Sequence, residues 1–113
     1  MAALPSLAVH AGPRAREHLR RHGLRPQDVR MVPAAAGGPK GLALIPLDRY
    51  LFGPWLASAP QGHPRTLHLL GASIGAWRMA AACTPDPDAA LAQLAEDYIT
   101  QTYPHEPGRP PTP

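Results

Sequence analysis

The chain has 113 residues, a net charge of +3, 16 prolines and one cysteine, Cys83. That length holds at most one small domain with a modest core, and a lone cysteine excludes an internal disulfide or a multi-cysteine zinc site, so a reducing compartment is expected. Apolar content of 44% against 17% charged residues argues against wholesale disorder.

The N-terminal run has no basic residue ahead of its apolar residues and carries Pro5 inside it, a poor secretory signal. No apolar stretch reaches the length of a membrane span, so a cytoplasmic protein is expected. Residues 1–12 read as a loose lead-in. Pro13 then opens a surface helix through His22 that Gly23 closes, with Ala15, Leu19 and Leu24 as its thin apolar stripe. Arg14, Arg16, Arg20 and Arg21 cluster there on a solvated face. No aromatic residues interleave with them, which speaks against a nucleic-acid partner. His18 and His22 share a helical face, but with no third ligand nearby the expectation is an exposed pair and no metal site.

Residues 24–28 are turn chemistry, and a first strand is predicted near residues 29–35. The next stretch, Gly37-Gly38-Pro39-Lys40-Gly41, is a glycine-rich turn whose backbone N–H groups can converge on an anion, as in phosphate binding or an oxyanion hole. It is not a nucleotide loop, because Lys40 is followed by Gly41 and Leu42 where a Walker motif needs Ser or Thr. A helical run over residues 41–45 is expected to be interrupted by Pro46, which either kinks it or starts a second segment, residues 47–52, stopped at Gly53 and Pro54. Tyr50, Phe52 and Trp55 read as packing residues.

A second strand is predicted near residues 66–71, leading into Gly71-Ala72-Ser73-Ile74-Gly75 and a helix to Cys83. A G-x-S-x-G motif between a strand and a helix marks a nucleophile elbow, a tight bend that lifts one serine hydroxyl out of the sheet. Gly71 and Gly75 fit there because a side chain at either position would collide where strand and helix backbones approach. Ser73 is thus the candidate nucleophile, at the positive end of a helix dipole. Cys83, further along that helix, reads as a packed thiol. After a break with capping character at residues 84–88, a last helix is predicted over residues 89–102, with Leu91, Leu94, Tyr98 and Thr102 on one side. Beyond it lies a proline-rich tail.

Taken together, Ala35-Ala-Gly-Gly-Pro-Lys-Gly41 and Gly71-Ala-Ser-Ile-Gly75 resemble the patatin-like phospholipase family, whose signature is a glycine-rich Asp-Gly-Gly-Gly-x-Arg/Lys-Gly loop followed by a Gly-x-Ser-x-Gly elbow. The resemblance implies acyl-ester hydrolysis by a serine and aspartate dyad. Ser73 is then the nucleophile and Gly37 and Gly38 the oxyanion donors. Lys40 and Gly41 hold the loop or meet substrate, and no metal or organic cofactor is used. It implies a lipid or other acyl-ester substrate and peripheral contact with a membrane. Ala35 and Ala36 replace the signature's opening aspartate and first glycine, and the family's Asp-Gly-Gly/Ala sequence, which carries the dyad aspartate, does not occur in this chain. The base is therefore expected in sequence beyond it. A second reading is a catalytically incomplete fragment acting as a lipid-surface or protein interaction module.

The expected fold is α/β: the N-terminal portion of a patatin-like three-layer α/β/α sheet over residues 1–103, followed by a proline-rich tail or linker over 104–113. With two strands only, an exposed sheet edge and apolar surface are expected.

Overall fold

The computed structural model describes residues 7–62 and 65–110. Over these residues it is a small mixed helix and strand protein with a two-stranded parallel sheet and four α-helices, compatible with an incomplete α/β fold. Helix α1, Pro13–His22, begins with proline in its first turn, where a missing N–H costs nothing, and ends at Gly23 with φ +72°. It buries no residue, as its thin apolar stripe predicts.

Strand β1, Met31–Ala34, pairs with β2, His68–Gly71, in the register Met31 to His68 through Ala34 to Gly71. Both lie inside the predicted strands. Parallel pairing needs a crossover, and the intervening chain supplies it. A 3-10 turn over Gly38–Leu44 leads into α2, Ile45–Tyr50, and a π turn over Leu51–Trp55 follows. The expected helical run over 41–45 is therefore 3-10 up to Leu44. Of the two expectations for Pro46, the second holds: it lies in the first turn of a new helical segment, where its missing N–H costs little. Gly53, with φ −86° and ψ −107°, kinks the chain just before Pro54.

Helix α3, Ile74–Ala82, lies against both strands, and α4, Pro87–Thr100, packs on α2 and α3. Ala34, Ile45, Ile74, Met79 and Leu91 form the apolar core of the described residues, with Leu91 fully buried. Side chains alternate across a strand, so Val32, Ala34 and Leu69 turn toward α3 while Met31, Pro33, His68 and Leu70 lie on an open face. Met31 is 53% exposed and Leu70 54%. The expected exposed apolar surface is present.

Three expectations need correction. Cys83 is exposed and free, because α3 ends at Ala82 and Cys83 caps it beyond its last packed turn. Tyr50 is 55% exposed, since it lies two residues, about 200° of helix, past inward-facing Asp48. Helix α4 starts and ends two residues early, which leaves Thr102 outside it and exposed. Its start is fixed by Asp86, whose carboxylate accepts the Ala89 N–H at 3.0 Å. His18 and His22 are the exposed pair expected, with ring centroids 4.7 Å apart, and His18 has a further partner. Its ring bonds the Asp28 carboxylate at 2.9 Å, and Arg25 bonds the same carboxylate at 2.8 and 3.1 Å. Residues 104–110 of the tail form neither helix nor strand.

Candidate functional site

Strand β2 ends at Gly71 and α3 begins at Ile74, leaving two residues for the reversal of direction. Ser73 takes the bend with φ 53° and ψ −126°, and it is the one non-glycine residue with positive φ among the described residues. Such a conformation costs roughly 1–3 kcal/mol and persists only where its surroundings enforce it. They do so here. A Cβ on Gly71 would fall on the Ala76 backbone and 2.5 Å from the Gly75 carbonyl carbon; one on Gly75 would overlap the Ala34 carbonyl oxygen and lie 2.7 Å from its carbon. Both flanking glycines are thus required by close backbone approach, one to the helix and the other to β1. The Ser73 carbonyl accepts the Ala76 N–H at 2.8 Å, but its side chain makes no capping bond, and the residue is exposed. The hydroxyl is left for other chemistry.

The glycine-rich turn leaves the end of β1 beside this bend. Because the strands are parallel, both loops emerge at the carboxyl edge of the sheet, the edge where open α/β sheets bind ligands. The Ala72 N–H bonds the Ala34 carbonyl at 3.1 Å and ties the two exits together. Gly38 has φ +54°, and buried Gly41 rests on Ile74, the residue after Ser73, so closely that an added Cβ would lie 2.6 Å from the Ile74 side chain. Lys40 is exposed on the turn. Gly37, Gly38, Lys40, Gly41, Gly71, Ser73 and Gly75 therefore form one corner of the molecule.

No known protein family, curated protein or solved structure matches the chain.

Among the described residues no carboxylate or imidazole hydrogen-bonds Ser73, and most acidic groups are engaged elsewhere. Asp86 caps α4, Asp88 pairs with Arg49 at 2.7 and 3.1 Å, and Asp97 accepts from Gln93 at 2.7 Å. The Arg49 guanidinium holds the Asp88 carboxyl below its ordinary range, and Arg25, then His18, do the same to Asp28. His68 is exposed on the open sheet face, and His105 contacts the Tyr103 carbonyl in the tail. His63 lies outside the described residues. No cluster of three metal-ligating side chains occurs among the described residues, and no described helix is long and apolar enough to cross a membrane.

Two neighbours of the corner were not anticipated. Trp77, one turn along α3 from Ser73 and 67% exposed, helps line a cleft of about 410 Å³ with Leu94, Tyr98 and Tyr103. Asp48 and Arg78 form a buried two-point ion pair at 2.6 and 2.8 Å, joining α2 to α3. Helical phase carried a signal for this pair. Asp48 falls three residues after Ile45, and Arg78 four after Ile74, so each charge sits on its helix's apolar face.

Proposed function

We propose that the chain is the opening portion of a patatin-like serine acyl hydrolase, acting on lipid or similar acyl esters. The observation that carries this reading is the strained, exposed Ser73, whose hydroxyl is not used to cap α3, beside the glycine turn. Attack by the Ser73 hydroxyl on an ester carbonyl creates a tetrahedral oxyanion. In this reading the Gly37 and Gly38 N–H groups and the start of α3 face that charge, each preorganised donor contributing on the order of 3 kcal/mol to the transition state. Lys40 meets the anionic part of the substrate or steadies the loop. Neither a metal nor an organic cofactor takes part, and the peripheral membrane contact belongs to the same proposal.

A fluorophosphonate probe tests the nucleophile directly. Covalent labelling is expected at Ser73 and is lost in Ser73→Ala; labelling that persists in that variant removes Ser73 from the mechanism. The absence of a base beside Ser73 among the described residues, with the exposed Met31 and Leu70 on the open sheet face, favours a second reading, an interaction module without turnover. A folded sample that the probe leaves untouched supports it.

A further inference from the structure

We infer that the Asp48–Arg78 ion pair is a positioning device that fixes Ser73 against the glycine turn, an inference that rests on the esterase reading of that corner. The 3-10 turn that begins at Gly38 runs without a break into α2, where Asp48 sits. Arg78 is five residues beyond Ser73 on the helix that Ser73 opens. The pair therefore bridges the element carrying the proposed donors and the element carrying the proposed nucleophile. Its side chains are 5% and 6% exposed, and both guanidinium contacts are short.

A buried pair of this kind is a poor source of stability, since removing both charges from water costs about as much as their attraction returns. What it offers is direction. A planar guanidinium held at two points by a carboxylate accepts little rotation or sliding, whereas apolar side chains in the same space tolerate both. The contact it guards is tight, because Gly41 meets Ile74 with no room for one further carbon. A shift of α3 along α2 would move Ser73 and the turn amides apart. Neither residue touches the reacting atoms, so both act through Ser73.

The double variant Asp48→Leu with Arg78→Met separates positioning from stability. It removes both charges and keeps the space filled. Expected in the full chain are wild-type helical content, fluorophosphonate labelling of Ser73 slowed roughly 10- to 100-fold, and faster amide exchange at Gly41 and Ile74 without change in α4. Labelling of the double variant at the wild-type rate overturns the inference. If wild type is not labelled at all, the esterase reading fails by itself. Amide exchange then decides for the pair, and unchanged exchange at Gly41 and Ile74 overturns it. Should the double variant not fold, Arg78→Lys, which keeps the charge but loses the two-point grip, is read by the same two measurements, with intermediate slowing expected and wild-type behaviour overturning.

Discussion

A serine at φ 53° holds its place because the residues two positions either side have no side chain. Gly75→Ala illustrates the balance. Within a helix, alanine is ordinarily favoured over glycine by roughly 1 kcal/mol, but here its methyl overlaps the Ala34 carbonyl. The clash dominates, and a net loss of about 1–3 kcal/mol is expected in chemical denaturation. Trp77 provides a test of substrate. If the cleft it lines holds the acyl group, Trp77→Ala reduces activity on long nitrophenyl esters more than on acetate, seen as a changed ratio of kcat/KM. Asp28 gives a pH signature. Its carboxyl is held low by Arg25 and His18 in the folded chain, so the unfolded chain binds the proton more readily. The contribution is complete above the ordinary carboxylate value of about 4 and is lost as pH falls below it. Asp28→Asn is expected to flatten the thermal midpoint's dependence on pH in that acid range.

The helices are joined by few but specific contacts. Leu91 is the one fully buried large side chain of the described residues and lies on the helix that packs on both α2 and α3. Leu91→Ala is expected to cost about 2–5 kcal/mol, enough to unfold so small a core, measured as loss of the helical signal at 25 °C. Asp86→Ala removes only the α4 cap, a loss of about 1 kcal/mol. Element type was largely legible from punctuation. Pro13 and Gly23 bracket α1, alternation marks the strands, and the motif glycines mark the bend. What escaped was the fate of single residues within elements. One charge inside a helical pattern reads as solvated, and although helical phase puts Asp48 and Arg78 on the apolar faces of their helices, nothing local says that the two meet. Likewise Cys83 keeps the helical phase of Met79 but lies past the end of the helix.

At the scale of the molecule, the core is small and, among the described residues, one sheet face is bare. The radius of gyration is 17.8 Å, against about 13 Å for a packed domain of roughly 100 residues. Two strands of four residues do not make a self-sufficient parallel sheet, and such sheets are normally covered on both faces. Marginal stability is therefore expected of the isolated monomer, with a broad thermal transition below about 45 °C. A sharp, concentration-independent transition well above that temperature contradicts it. Midpoints that rise with protein concentration indicate that copies cover each other's open faces.

The order of strand, glycine turn, strand, serine bend and helix was set by the sequence alone, because each depends on short-range sterics: where a side chain fits, where a proline begins a helix, where a glycine permits a turn. Tertiary structure decided that the two bends share a corner, that Gly41 rests on Ile74, and that Asp48 meets Arg78. Those facts follow from parallel strand register and helix packing. They join residues some thirty positions apart, and no local pattern records which distant surfaces will meet.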